Sequence, residues 1–164
     1  MSKPGHNNFT VKFANVNGTG SSSANGMFMR SIFRMGIPVV GKNYFPSNIQ
    51  GLPTWYEIRV SDKGYLAPSG TVHIMIAMNA QTYAEDLASV EPGGYLVYDS
   101  SWPRKELMTR DDVTVLGVPL AKMCNEKFDT ARSRTLMKNT AYVGVLAALL
   151  DMDVSVIEQL LLDT

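Results

Sequence analysis

The strongest constraint on the fold is a predicted strand that runs through a glycine-rich turn directly into a helix. Residues Phe9–Val16 alternate and are rich in β-branched and aromatic side chains, which predicts a β-strand. The turn Asn17–Ser23 follows, and Ala24–Met35 carries apolar residues at helical spacing. Gly36 and Pro38 then end the helix. This order is typical of the opening of a βα unit in a parallel sheet.

Later segments continue the alternation of strands and helices. Thr71–Met78 is nearly continuous apolar, as expected of a strand buried on both faces of a parallel sheet. Further strands are predicted at Pro38–Tyr44, Trp55–Ser61, Tyr95–Tyr98 (after a turn at Pro92–Gly94) and Val113–Val118. Further helices are predicted at Ala80–Ser89, from Pro119, at Leu136–Leu150 and at Val154–Leu162. We predict an α/β fold, a three-layer open and mostly parallel sheet with helices on both faces, in one domain over residues 1–164 with residues 1–8 flexible.

Composition excludes several classes of function. Fifteen Lys and Arg balance fifteen Asp and Glu, so no global field would attract nucleic acid or an anionic membrane. A single cysteine, Cys124, rules out a self-contained iron–sulfur or all-thiolate zinc site. No secretory signal is visible, and no apolar run approaches the roughly 18 residues that a membrane span needs. We therefore expect a cytoplasmic protein without a metal site of its own.

The glycine loop, Gly18–Ser23, is the first candidate site. Two glycines allow a ligand to approach the backbone, and the N–H groups at a helix start favour anions. Ser21 and Ser22 would add hydroxyl donors. The spacing of Gly18, Gly20 and Gly26 departs from the dinucleotide fingerprint, and no Walker lysine is present, which disfavours NAD binding and ATP hydrolysis. Spacing alone leaves a phosphate site and a simple tight turn as equal alternatives.

An aromatic segment, Phe45–Tyr56, is the second candidate. It combines prolines, glycine and large aromatic side chains without a helical or strand period, which predicts an ordered loop packed on something. Residue types favour an interface or core contact. For acid–base chemistry the chain offers little: His73 lies inside an apolar strand and Cys124 follows helix-type apolar residues. We therefore predict no catalytic side chain.

Three cations precede Asn139 at the predicted start of a long helix, namely Arg132, Arg134 and Lys138. Positive charge at a helix start opposes the helix dipole, unless an anion or an acidic partner lies nearby. This pattern is a second, independent indication of a phosphate or carboxylate ligand.

Three runs of the chain together resemble a known family. They are Asn17–Gly26, Arg34–Pro38 and Phe45–Tyr56 with the following Ile58–Ser61. They resemble the gamma domain of 2-oxoacid:ferredoxin oxidoreductases, in particular the N-terminal domain of the alpha subunit of the 2-oxoglutarate:acceptor type. The resemblance covers essentially the whole chain, and the aromatic segment is its most specific part.

This resemblance implies a place in a larger enzyme. Enzymes of the family oxidatively decarboxylate a 2-oxoacid such as 2-oxoglutarate on thiamine diphosphate, pass electrons through iron–sulfur clusters to ferredoxin, and release an acyl-coenzyme A. It implies thiamine diphosphate, Mg²⁺ and an iron–sulfur cluster in the alpha and beta partner domains or subunits, with no turnover by this chain alone. It also implies coenzyme A contacts at Gly18, Thr19, Gly20, Ser21, Ser22 and Asn139.

The aromatic segment then has two interpretations. It would be a surface toward the substrate or a partner, in which Lys42 and Arg59 help to hold a substrate carboxylate; the residues expected there are Lys42, Phe45, Pro46, Ser47, Asn48, Trp55 and Arg59. The alternative is a non-catalytic assembly module that docks through Phe45–Tyr56 and whose glycine loop is only a turn. An independent nucleotide-binding enzyme is disfavoured because acid–base residues and a phosphate-binding lysine are missing.

Overall fold

The computed structural model describes residues 7–45 and 51–163, and in these ranges six strands form one sheet in the order β2-β3-β1-β4-β5-β6. The strands are β1 Asn8–Val16, β2 Val39–Tyr44, β3 Pro53–Ser61, β4 Val72–Ala77, β5 Val90–Asp99 and β6 Thr114–Val118. β1, β4, β5 and β6 pair in parallel, whereas β3 runs antiparallel to both β1 and β2. The predicted mostly parallel sheet is confirmed.

Helices cover both faces of this sheet, as predicted. They are α1 Ser21–Arg34, α2 Tyr83–Ser89, α3 Leu120–Lys127, α4 Ala131–Leu149 and α5 Val154–Leu162, with short 3-10 turns at Ala80–Thr82 and Lys105–Leu107. Alternation along β1 supplies both apolar cores, since successive side chains point to opposite faces. Val11 and Phe13 pack in the core with α1, α4 and α5, and Ala14 packs in the core with α2.

Four local predictions differ from the structure. Helix α1 begins at Ser21, inside the turn predicted at Asn17–Ser23, and not at Ala24. The long helix begins at Ala131 and not at Leu136, because the Thr130 side chain accepts a hydrogen bond from the Ser133 N–H (3.1 Å) and caps it. Residues 92–94 lie within β5 and do not form a turn before it; the register shifts there, with Gly93 at a φ of +83°. The end of the aromatic segment, from Pro53 onward, is part of β3 because it pairs with β1.

Two sequence predictions fall largely outside the described ranges. Of the eight residues expected to be flexible, 1–6 are outside, whereas Asn8 pairs with Ser61 in the sheet. The middle of the aromatic segment, residues 46–50, is also outside. Among the helices that the structure describes, none combines the length and apolar character that crossing a bilayer would require.

Candidate anion-binding cleft

A cleft of about 400 Å³ lies at the carboxyl end of β1, beside the first turn of α1. We call it the α1 cleft; its lining residues are Asn15, Asn17, Gly18, Gly20, Ser21, Ser22, Asn25, Asn43, Phe45, Thr54, Trp55 and Tyr56. The carboxyl ends of parallel strands are the edge where open α/β sheets commonly bind ligands. The volume is within the range of roughly 300–1,000 Å³ typical of small-molecule sites.

The glycine loop joins β1 to α1 through two left-handed residues. Gly18 has a φ of +86° and Gly20 a φ of +77°, a region that favours glycine. Thr19 stabilises the turn, since its hydroxyl donates to the Val16 carbonyl (2.8 Å). Gly20 occupies the N-cap of α1, and no side chain of the described part of the chain caps the helix. Its first N–H groups, at the positive end of the helix dipole, are therefore available to an anion.

The floor of the α1 cleft is a buried network of neutral hydrogen-bonding groups. The Tyr142 hydroxyl donates to Asn25 Oδ1 (2.8 Å), and Asn25 Nδ2 donates to Asn15 Oδ1 (3.3 Å). Asn79, which follows β4 by two residues, supports the network because its Nδ2 donates to the Asn15 carbonyl (3.5 Å). Burial raises the pKa of Tyr142, so its hydroxyl stays protonated at neutral pH. No charged side chain is among the lining residues named above.

Helix α4 contacts the glycine loop through Leu136 and Asn139, neither of which is among the residues that line the cleft. Asn139 Nδ2 donates to the Thr19 carbonyl (2.9 Å), and Asn139 is only 3% exposed. Leu136 covers Gly20, because a Cβ placed on Gly20 would lie 2.5 Å from Leu136 Cδ2. Asn139, which the resemblance implies as a coenzyme A contact, is absent from the residues that the structure shows lining the cleft.

The aromatic residues occupy different positions around the cleft. Phe45 is 50% exposed at its edge, and the Tyr56 hydroxyl donates to Met29 Sδ (3.3 Å). Burial raises the pKa of Tyr56. Trp55 lines the cleft, but its side chain packs with the core that contains α2. Pro46, Ser47 and Asn48 lie outside the described residues.

A buried carboxylate holds Trp55 in place. The indole N–H donates to Asp86 Oδ1 (2.9 Å), and the Thr82 hydroxyl donates to Asp86 Oδ2 (2.7 Å). Burial raises the pKa of Asp86 from 3.8 to about 6, although both hydrogen bonds and the charge of Lys12 oppose this shift. Trp55 is therefore fixed by the fold and is not a freely exposed aromatic residue.

The structure does not bring the two flanking cations, Lys42 and Arg59, to the cleft. Arg59 lies six residues beyond Pro53 along β3, about 20 Å at roughly 3.3 Å per residue, and its guanidinium donates to the Phe9 carbonyl (3.1 Å) and to Asn8 Oδ1. The Lys42 ammonium stands over the Tyr44 ring at 5.0 Å from its centroid. The cause is the antiparallel direction of β3, which carries Arg59 away from the carboxyl end of β1.

Two of the three cations of α4 also have partners within the chain. Lys138 Nζ lies 3.9 Å from Asp99 Oδ2, and Arg134 Nε donates to the Phe128 carbonyl (2.7 Å). Asp99 in turn accepts from the Ala121 N–H (3.2 Å) at the start of α3. The acidic partner anticipated from the sequence is therefore Asp99, and Lys138 and Arg134 are no independent sign of a ligand.

Sequence reasoning missed the polar floor of the cleft. Asn15 follows Phe13 by two residues and so shares its face of β1, while Asn25 follows Ser21 by four and shares its face of α1. The strand period of two and the helix spacing of four were the signals in the sequence that could have placed Asn15 and Asn25 at the cleft. Over the residues with described positions, no group of three or more His, Cys, Asp or Glu side chains could hold a metal ion.

The fold and cleft define an α/β domain with a neutral, amide-rich site at the start of its first helix. The chain belongs to the pyruvate ferredoxin/flavodoxin oxidoreductase family, whose sequence profile matches residues 10–164. It is 29% identical over 113 residues to subunit alpha of 2-oxoacid:ferredoxin oxidoreductase 2 from Aeropyrum pernix. That match covers 69% of this chain and only 17% of the relative, so the chain spans a small part of that protein.

Solved structures share the fold. A 2-oxoglutarate:ferredoxin oxidoreductase from Magnetococcus marinus, solved with 2-oxoglutarate, coenzyme A and succinyl-CoA, matches 96% of this chain and 27% of its own (TM-score 0.81, 23% identity). A pyruvate oxidoreductase subunit from Thermotoga maritima matches over 93% of this chain and 83% of its own length, with a TM-score of 0.75 and 14% identity. A keto/oxoacid ferredoxin oxidoreductase gamma subunit from Geobacter sulfurreducens matches over 94% of this chain and 85% of its own length, with a TM-score of 0.73 and 15% identity. The family resemblance inferred from the glycine loop and aromatic segment is confirmed.

Proposed function

We propose that this chain is the gamma-type domain or subunit of a 2-oxoacid:ferredoxin oxidoreductase and that it binds coenzyme A in the α1 cleft. The observation that carries the proposal is an open cleft at the uncapped start of α1, lined by Gly18, Gly20, Ser21 and Ser22. Family membership and the coenzyme A present in the Magnetococcus marinus enzyme support the choice of ligand.

The chemistry of the cleft suits a diphosphate. Phosphoryl oxygens only accept hydrogen bonds, and the cleft offers backbone N–H groups and serine hydroxyls, while the buried amides of Asn15 and Asn25 form its neutral floor. The start of a helix carries about half a positive charge, which attracts an anion without a cationic side chain. Because no lysine or arginine is among the lining residues, we expect weak binding by the isolated chain and tighter binding in the assembled enzyme.

Under this proposal, decarboxylation of the 2-oxoacid and electron transfer are carried out by the partner domains or subunits. An iron–sulfur cluster takes about four cysteine ligands, and Cys124 is the chain's single cysteine. Thiamine diphosphate, Mg²⁺ and the cluster would lie in the alpha and beta domains or subunits, which would also pass electrons to ferredoxin. The chain would act in the cytoplasm, show no turnover alone, and contribute acyl-acceptor binding to the oxidation of a 2-oxoacid such as 2-oxoglutarate.

Calorimetric titration of the full chain with coenzyme A tests the ligand. Ser22 is exposed and lines the cleft within the first turn of α1. Ser22→Asp should reduce the affinity at least about tenfold, because it places a carboxylate beside the phosphates. The same change favours the helix dipole, so thermal stability should not fall.

The matched control is Ser22→Asn, which has nearly the shape of aspartate without its charge. Its affinity should stay within about threefold of wild type. Equal affinity for wild type and Ser22→Asp, or no heat at millimolar coenzyme A, would contradict the proposal.

A second role, assembly through Phe45–Tyr56, is favoured by the 50% exposure of Phe45 and the 37% exposure of Leu52 near the cleft. Co-purification with the alpha and beta partners tests it, and Phe45→Ser should lose the complex while the isolated variant unfolds at the wild-type temperature. Trp55→Ala is not a suitable test of assembly, because Trp55 is hydrogen-bonded to Asp86 and packs against a core, so its removal would also disturb the fold. Unchanged assembly by Phe45→Ser would argue against this role.

A further inference from the structure

Successive turns of α4 contact the glycine loop and α1 along one face of the helix. Leu136 covers Gly20, Asn139 binds the Thr19 carbonyl, and the Tyr142 hydroxyl binds Asn25. The spacing of three residues places these side chains on the same face. Two of them, Asn139 and Tyr142, are fully or almost fully buried.

The hydrogen bond from Asn139 to the Thr19 carbonyl determines the direction of the Gly20 N–H group. The Thr19 carbonyl and the Gly20 N–H belong to one peptide unit, and no cis peptide bond occurs in the described chain. In a trans peptide these two groups point in opposite directions. Because Asn139 holds the carbonyl on the α4 side, the Gly20 N–H is directed away from α4, and Gly20 lines the α1 cleft.

The loop needs such an external restraint. Gly18 and Gly20 both adopt positive φ, and glycine visits many other conformations at little cost. The sequence of the loop therefore does not by itself hold the peptide between Thr19 and Gly20 in one orientation. Among the described residues, the hydroxyl bond of Thr19 to Val16 and the amide of Asn139 act on Thr19 itself.

We propose that Asn139 is a positioning residue that aims the Gly20 N–H at a phosphoryl oxygen of the ligand and does not itself contact the ligand. This inference rests on the proposed function of the α1 cleft. It differs from the direct contact that the family resemblance implies for Asn139. The reasons are that Asn139 Nδ2 is engaged by the Thr19 carbonyl, that Asn139 is 3% exposed, and that it does not line the cleft.

Affinities for two probes, pyrophosphate and coenzyme A, separate an effect on the diphosphate from a contact elsewhere on coenzyme A. Asn139→Leu keeps the side-chain shape and removes the donor. A misdirected Gly20 N–H should weaken both probes by the same factor, about tenfold, because both present the diphosphate. A direct contact with another part of coenzyme A would weaken coenzyme A alone, which would overturn the inference, as would no loss for either probe.

A spectroscopic measurement gives an independent readout. In ¹⁵N-labelled wild type, the Gly20 amide resonance should shift on addition of pyrophosphate, and this shift should shrink in Asn139→Leu. An equal shift in both proteins would overturn the inference. If Asn139→Leu does not fold, as judged by thermal unfolding, Asn139→Ala serves for both measurements.

Thr140→Ala is the matched control, because the Thr140 hydroxyl binds the Leu136 carbonyl of its own helix and not the loop. Its affinities for both probes should stay within about twofold of wild type. If wild type binds neither probe, the proposed function and this inference fall together. If wild type binds both and Asn139→Leu binds equally well, this inference alone fails.

Discussion

Helix α1 separates two cavities of opposite character. At its start lies the α1 cleft of about 400 Å³, lined by amides, hydroxyls and glycines. At its other end lies a larger cavity of about 630 Å³, which we call the apolar cavity. Its described lining is mostly apolar and includes Ile32, Met35, Ile37, Leu149, Leu150 and Met152, with His73 and Glu91 among the few titratable groups.

This contrast shows that volume does not decide where an anion binds. A helix presents N–H groups and partial positive charge at its start, and carbonyl groups and partial negative charge at its end. The same helix therefore favours a phosphate in the α1 cleft and disfavours one in the apolar cavity. Glu91 adds a carboxyl group at the disfavoured end.

The largest expected effect concerns the apolar cavity. Ile32 lines it and is 2% exposed, so Ile32→Ala should lower the free energy of unfolding by about 2–4 kcal/mol, measured by urea denaturation. Pyrophosphate affinity at the α1 cleft should remain within about twofold of wild type at temperatures where the variant is folded. A parallel loss of affinity would show that the two ends of α1 are coupled.

The next prediction concerns Asp86, which is hydrogen-bonded to Trp55 at the α1 cleft and should make the stability of the protein depend on pH. Asp86, beneath Trp55, has its pKa raised by burial from 3.8 to about 6, so folding favours the protonated form. Its stabilising contribution is complete below about pH 3.8 and is lost as the pH rises through about 6. Asp86→Asn should therefore be more stable than wild type at pH 7, by up to about 3 kcal/mol.

The control for this prediction is the same comparison in acid. Asparagine can still accept from the Trp55 indole, so the two proteins should have nearly equal stability near pH 4. A difference in free energy of unfolding that does not change with pH would show that Asp86 is not the titrating group.

The glycine loop and the sheet were predictable because their signals are local. Alternation of Val11, Phe13 and Ala14 assigns each side chain to a core, and a positive φ at a βα turn selects glycine. The candidate site was predictable only in its backbone half, Gly18–Ser22.

The other half of the site depends on tertiary structure. Asparagine is a residue type usually found at the surface, yet Asn15 and Asn25 are each 3% exposed. Their polar atoms have partners inside the protein, since Tyr142, more than a hundred residues away, donates to Asn25, which donates to Asn15. Because Arg59 adjoins the aromatic segment, the sequence predicted that it would help to hold a substrate carboxylate there. The direction of β3 carries it away, and strand direction has no local signature.

A smaller effect of opposite sign is expected at the apolar cavity. His73 Nδ1 accepts from the Thr10 N–H (3.0 Å), and burial lowers the pKa of His73, partly opposed by Glu91. The neutral form is favoured, so stability should fall as the pH drops through about 6.5. In the Asp86→Asn background we expect a loss smaller than the roughly 1 kcal/mol that one hydrogen bond contributes, because His73 is partly exposed.

Replacing His73 by asparagine tests this assignment, since an amide oxygen can accept from the Thr10 N–H and does not titrate. The double variant Asp86→Asn, His73→Asn should lose the acid sensitivity between pH 7 and 5. Acid sensitivity that persists in the double variant would assign the titration to another group.

The smallest effect concerns Lys138, which the sequence suggested as a sign of a bound anion. Its ammonium lies 3.9 Å from Asp99 Oδ2 and is partly exposed, so Lys138→Ala should cost less than about 1 kcal/mol of stability. Pyrophosphate affinity and its salt dependence should match wild type, because the α1 cleft attracts anions through backbone dipoles. A clear loss of affinity, with a weaker dependence on salt, would mean that α4 supplies charge to the cleft as well as orientation, and the contrast between the two ends of α1 would no longer rest on the helix alone.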